Sequence, residues 1–280
     1  MAVINNKKRP FYIWLIVILM AILGFSFIYP FYYLFINSVK GMTEYYKTPF
    51  AWPSGEFDWN TYKTMLSNFK ILKYFGHTLI VVVGTLIIVI PVSICTAFTF
   101  SKFKFRGSNL FYLLMVASMT IPAQVTAVPL YTIFGKLHLL NTYTAMIIAN
   151  LSFMCGSTVM MSSFFKSIPN ELLDAAKIDG CGYFQTIRNV VLPIGKPIIV
   201  VQIILAVNNI WNDLFLSSII LQKSNVKTIM PALSDLIGQY MQQPTYSMAG
   251  MLLAALPMLI VFALFQKQIV QGVLAGAVKG

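Results

Sequence analysis

The chain has 280 residues, of which 58% are hydrophobic and 10% charged, with a mean hydropathy of +0.76; a soluble domain carries about 25% charged residues. Apolar runs of roughly 20 residues are what a bilayer requires, because backbone polar groups there must pair within their own segment. The net charge of +12 lies mainly in short stretches between apolar runs, which fits a membrane-orientation signal and argues against nucleic acid. Cys95, Cys155 and Cys181 show neither C-x-x-C nor Cys/His spacing, so no disulfide framework or metal site is indicated. His77 and His138 stand alone near span ends and read as interfacial residues.

In chain order, the apolar runs predict an all-α integral membrane protein with six transmembrane helices, at about 11–36, 76–100, 108–131, 142–165, 197–221 and 247–268. Residues 1–280 then form a single membrane domain. The first run follows Lys7, Lys8 and Arg9; it is too long for a signal-peptide core and lacks a small-residue cleavage site, so it reads as an uncleaved span. Placing the N-terminus inside makes Lys102, Lys104, Arg106, Lys166, Lys177, Arg188, Lys196, Lys267 and Lys279 cytoplasmic as well, and the C-terminus follows. The outer loop from Asn37 to Phe75 carries Tyr45, Tyr46, Trp52, Trp59 and Tyr62, an interfacial aromatic belt, with a short amphipathic helix from Asp58 to Leu66. Pro91, Pro122, Pro129 and Pro257 predict kinks inside their spans. Residues 222–245 read as an exposed, partly helical outer connection.

The polar loop at 167–196 separates the fourth and fifth spans. Pro169 suits a first helical turn, Ser167 a cap and Gly180 a stop. Leu172, Ala175, Ala176 and Asp179 fall at helical spacing, and two alanines there leave a slim face that another protein's groove would accept. A second helix, about 182–191, ends before Pro193, and Pro197 opens the fifth span. On physics alone, an ordinary helical hairpin fits these residues equally well. Within the fifth span, Gln202, Asn209 and Asp213 form one polar stripe with Trp211 opposite. Intramembrane polar groups face a bundle interior or a watery cavity, which makes Asn209, Asn212 and Asp213 candidates for a substrate path. Helix-to-helix hydrogen bonding is the alternative for the same stripe.

The loop reads Asp174-Ala175-Ala176-Lys177-Ile178-Asp179-Gly180, then nine residues, then Val190-Val191-Leu192-Pro193. This resembles the EAA loop of ABC-importer permeases, E-A-A-x-x-D-G followed after nine residues by I-x-L-P. Ile121-Pro122-Ala123-Gln124, Val128-Pro129-Leu130-Tyr131, Leu139-Leu140-Asn141-Thr142, Trp211-Asn212-Asp213 and the tail from Gln271 to Gly280 are similar to the MalG-type permeases of carbohydrate importers. The resemblance implies a type I importer permease in a bacterial plasma membrane, paired with a second permease. It also implies two ATPase subunits, an extracytoplasmic solute-binding protein and a sugar substrate. Glu171, Leu172, Asp174, Ala175, Ala176, Asp179 and Gly180 would then couple to an ATPase, and Val278, Lys279 and Gly280 would contact it from the tail. Asp174 stands where the family has Glu, which shortens the reach of any salt bridge from that position.

No catalytic residue and no cofactor is expected. Gly135-Lys136 and Gly195-Lys196 lack the rest of a phosphate loop, so ATP and magnesium would be bound by the partner ATPases. Three other readings stay open. An ion-gradient transporter would need buried carboxylates, yet Asp213 is the only acidic residue in any predicted span. An importer permease for an amino acid or peptide is the second, and a scaffolding subunit the third. A scaffolding subunit without a substrate path would leave Asn209 and Asp213 facing no cavity.

Overall fold

Length of apolar sequence sets the long helices, and Pro122 sets the break in one of them. The computed structural model describes residues 11–277, and every regular element among them is helical. Two compact units are formed, one from residues 11–69 and 236–253, the other from residues 70–235 and 254–277.

The first unit begins with α1 (Phe11–Ser38), whose apolar side chains are exposed almost throughout, as lipid-facing residues are. After it come α2 (Met42–Lys47) and α3 (Asn60–Ser67). The loop between them is pinned by polar contacts. Lys40, 1% exposed, donates to the carbonyl oxygens of Thr48 and Ala51, both at 2.6 Å. The Glu44 carboxylate accepts from the Ser54 N–H at 2.6 Å and the Ser54 hydroxyl at 2.8 Å. Trp52 stacks on Tyr32, Tyr45 meets Tyr46 and Trp59 meets Tyr62, so part of the expected aromatic belt packs on itself.

The second unit is built on α4 (Ile71–Lys102), a 32-residue helix in which Pro91 is accommodated without a break. The next segment, expected as one span at 108–131, is two helices, α5 (Ser108–Ser118) and α6 (Ala123–Lys136), bent by 96°. Pro122 explains the break: it pushes Ile121 out of the helical region and is itself extended, with ψ 139°. The fourth span is α7 (Tyr143–Asn150) with α8 (Phe153–Phe165).

The fifth span departs from the sequence reading at both ends. α9 (Asn170–Ile178) is followed by α10 (Tyr183–Thr186), a π turn (Ile187–Val191) and α11 (Leu192–Trp211). The helix therefore runs through Pro193 and Pro197 instead of stopping at one and starting at the other, giving an apolar helix from Tyr183 to Trp211. A helical proline lacks an N–H and crowds the carbonyl four residues earlier. The wider π turn directly before Pro193 absorbs that crowding. At the far end the helix stops at Trp211, and residues expected to continue it form a separate α12 (Phe215–Ile220).

α13 (Ile229–Gln239) and α14 (Pro244–Ala277) complete the chain, the latter carrying Pro257 internally. Among the described residues, five helices are long and apolar enough to cross a membrane, and the bent pair makes a sixth span if counted as one. Ile90, Ile94 and Phe98 of α4, Met161 and Phe165 of α8, and Val191 and Ile198 near the π turn share one buried cluster. Gly195 permits this packing, since a Cβ there would lie 2.7 Å from the Phe165 ring.

Candidate functional site

At one end of the second unit, the loop from 167 to 196 is tied to the end of α4. Lys102 donates to the Ile168 carbonyl oxygen and to Asn170 Oδ1, the residue that opens α9. Ser167 does not cap α9; its hydroxyl donates back to the Phe164 carbonyl at 2.7 Å, and Pro169 occupies the cap position in an extended conformation. The stop at Gly180 is as the sequence requires. Gly180 has φ +82°, its N–H donates to Lys177 O, and the Cys181 N–H donates to Ala176 O at 2.9 Å. These paired bonds are a Schellman motif, and the left-handed conformation is one that only glycine adopts freely.

The two alanines do not share an exposed face. Ala176 is buried at 7% exposure and Leu173 packs on the cluster around Phe98 and Phe165, whereas Glu171, Leu172, Asp174 and Ala175 are exposed. Asp179 lies beyond the helix as its C-terminal cap. The most exposed apolar side chains of the loop are ones the spacing did not single out: Ile178 at 86%, Phe184 at 81% and Tyr183 at 71%. They flank Gly180, so its sharp turn sets an apolar shelf beside the exposed acidic residues of α9. An apolar Ile next to the helix stop and a Tyr-Phe pair after it, in an otherwise polar loop, were the available signal. Asp174 makes no ion pair within the chain among the described residues. With Lys102, Lys177 and Tyr183 it lines a recess of about 420 Å³ between α4 and the loop. Val278, Lys279 and Gly280 lie outside the described residues.

Deeper in the same unit is an open cavity of about 660 Å³. The break between α5 and α6 frames it with Ser118, Met119 and Thr126; Ser152 and Met160 close another side, and α11 contributes Gln202 and Asn209. Gln202 is 4% exposed and donates through Nε2 to Met160 Sδ at 3.2 Å, while exposed Asn209 donates to Leu205 O at 2.9 Å.

Asn212 and Asp213, placed with Asn209 by the sequence, do not line the cavity. Asn212 is the C-cap of α11 and donates to Asn208. Asp213 sits past the helix end, where its oxygens accept from the N–H groups of Leu216 and Ser217 and from the Ser217 hydroxyl at 2.6 Å. Trp211 does point away from Asn209: it is buried, and its indole N–H donates to Ala254 O at 3.0 Å. His77 is likewise buried, its ring nitrogen 2.9 Å from Lys227 O.

The model of the binding-protein-dependent transport system inner membrane component family matches residues 89–274. The chain belongs to that family. As a permease, it is 32% identical over 269 residues to a probable starch degradation products transport permease, AmyC, of Thermoanaerobacterium thermosulfurigenes, covering 95% of this chain and 97% of that one. It is 30% identical to the probable ABC transporter permease YurM of Bacillus subtilis, over 99% and 92% of the two chains. Among solved structures, a bacterial ABC transporter importing the acidic polysaccharide alginate superposes with a TM-score of 0.74, over 94% of this chain and 99% of that one, at 22% identity. The permease therefore has the fold of an ABC-importer membrane subunit. It is a non-catalytic inner-membrane component.

Proposed function

We propose that this permease forms one half of a translocation pathway for a sugar or oligosaccharide. A second, homologous permease supplies the other half, two cytoplasmic ATPase subunits bind ATP and magnesium, and an extracytoplasmic solute-binding protein delivers the solute. The loop from 167 to 196 docks on one ATPase, with both chain termini on that same cytoplasmic side. The observation that carries this reading is the loop itself. A short helix, ended by a left-handed glycine and tied to α4 through Lys102, presents Leu172, Ala175, Ile178 and Phe184 outward on a chain of this family.

The carbohydrate class rests on relatives named for starch degradation products, arabinooligosaccharides and the melibiose, raffinose and stachyose group. An ion-gradient mechanism loses its best residue, because both oxygens of Asp213 are engaged in capping α12. In vesicles of the reconstituted complex, Ala175→Arg and Gly180→Pro are expected to abolish ATP-dependent uptake with the subunit still inserted. Full uptake in both variants would overturn the coupling assignment and return the gradient-driven reading.

A further inference from the structure

The turn from α4 to α5 carries three exposed cations, Lys104, Arg106 and Lys166, and among the described residues none of them forms an ion pair. Phe103 leaves α4 in an extended conformation, φ −117° and ψ 138°, so successive side chains alternate in direction. Phe103 meets the rings of Phe98 and Tyr183, and Phe105 meets that of Phe100, which leaves the alternate residues Lys104 and Arg106 to solvent. The third cation arrives from the end of α8. Lys166 holds its ammonium 5.0 Å from the centroid of the Tyr112 ring, and Tyr112 in turn packs on Phe100. All three cations therefore border one cluster of rings, Phe100, Phe105 and Tyr112.

The rest of the ligand is read from α5. That helix buries no residue, and Leu110, Phe111, Leu113 and Leu114, directly after the turn, are each more than half exposed. Cations at the end of an exposed apolar helix, with aromatic rings at the boundary, match a molecule that joins an anionic head to apolar chains. Arg pairs with two phosphate oxygens at once and Lys adds a point charge. An acidic protein segment would satisfy the charges and leave the α5 face bare. We infer that the α4–α5 turn binds the headgroup of an anionic phospholipid of the phosphatidylglycerol class, with its acyl chains along α5. Lys102, at the start of the same turn, holds Ile168 and Asn170, so the site lies on the side of the loop from 167 to 196. Only the choice of leaflet, the cytoplasmic one, rests on the function proposed above.

The test counts lipid on the complete complex in mild detergent by native mass spectrometry. The probes are palmitoyl-oleoyl phosphatidylglycerol, the phosphatidylcholine with the same chains, and inorganic phosphate. Phosphatidylglycerol should be retained in preference to phosphatidylcholine, and Lys104→Gln, Arg106→Gln and Lys166→Gln together should weaken that retention at least about tenfold. Lys166→Gln alone, which keeps the charges of the turn that orient the chain, should weaken it about threefold and covers the case in which the triple variant fails to insert. Lys73→Gln with Lys136→Gln, exposed cations elsewhere in the same unit, should leave it unchanged. Retention unmoved by the Gln variants, or weakened equally by the Lys73 and Lys136 pair, overturns the inference. So does displacement of the lipid by inorganic phosphate, which would make this a site for the free anion. Loss of the ATPase subunits with phosphatidylglycerol still retained overturns it in favour of a protein contact. Because lipid is counted directly, each of these failures leaves the importer reading standing, and absence of ATP-driven sugar uptake leaves the lipid count untouched.

Discussion

Lys102, the last residue of α4, holds Asn170, the first residue of α9, through a 3.1 Å hydrogen bond, and reaches the Ile168 carbonyl with the same ammonium. This polar tie adds to the packing of Leu173 of the loop on the cluster that holds Phe98 of the long helix. Lys102→Met removes a charge-assisted donor from a nearly buried carbonyl, a loss of about 1–3 kcal/mol. On the proposed function, ATP hydrolysis by the assembled complex should persist while uptake falls several-fold. Uptake and hydrolysis measured on one preparation check this, and an unchanged ratio between them would remove Lys102 from the coupling path.

Gly180 gives a graded test. At φ +82° a side chain has open space around it, so a substitution costs only backbone strain. Gly180→Ala should lose about 1–2 kcal/mol locally, and Gly180→Asn less, since Asn tolerates the left-handed region. Thermal unfolding of the detergent-solubilised permease should rank the three as Gly, Asn, Ala. Equal midpoints for Ala and Gly would mean that the turn relaxes into another form.

The apolar shelf makes a separate prediction about assembly. Ile178→Glu and Phe184→Glu alter exposed side chains and should leave folding intact. Co-purification of the ATPase subunits should nonetheless fall by about tenfold, because a charge in an apolar docking surface is desolvated without a partner. Retention of full ATPase stoichiometry in the double variant would place the docking surface elsewhere.

Gly195 tests the packing below that surface. Gly195→Val drives a side chain into the Phe165 ring, which is fully buried and has nowhere to move. Overpacking of this kind costs about 1–3 kcal/mol, seen as a lower unfolding midpoint. Gly195→Val combined with Phe165→Leu should recover part of the loss.

The loop after α1 should respond to acid. The Ser54 N–H first, and its hydroxyl second, hold the Glu44 carboxyl below its ordinary value of 4.5. A carboxyl whose folded value is depressed stabilises the fold above its unfolded value, and that contribution is lost as pH falls through the folded value. Amide exchange at Ser54 should therefore accelerate as pH drops below about 4.5 relative to intrinsic exchange. Glu44→Gln should abolish the pH step, and a step that survives would assign it to another group.

The sequence made the six apolar runs legible because hydrophobic length alone identifies them, and it made Gly180 legible because a stop after a short amphipathic helix demands that residue. Composition hid three features. The 96° break at Pro122 lies inside a run that is apolar throughout, so hydropathy is blind to it. The π turn lets a helix pass two prolines that ordinarily terminate one, and so moved the fifth span toward the loop. Asp213 kept helical spacing with Asn209 only on paper, since α11 ends at Trp211 and the carboxylate turns to cap α12. Ala175 and Ala176 look alike in sequence, yet only Ala176 is buried, a choice of tertiary packing that periodicity does not show.

The unbroken helix from Tyr183 to Trp211 has a mechanical consequence. Tyr183 stands on the outer surface of the 167–196 loop, and Gln202 stands in the cavity wall, on one helix and about 28 Å apart at the rise of an α-helix. The helix is continuous between the two points, with no loop to break it, so a rotation at Tyr183 is carried toward Gln202 along one element. The π turn is the one place along that shaft where the winding differs, and a change of a single hydrogen-bond register there would swing the cavity-lining face by about 100°. On the proposed function, such a shaft would convert a push at one end into a change of which side chains the solute meets at the other.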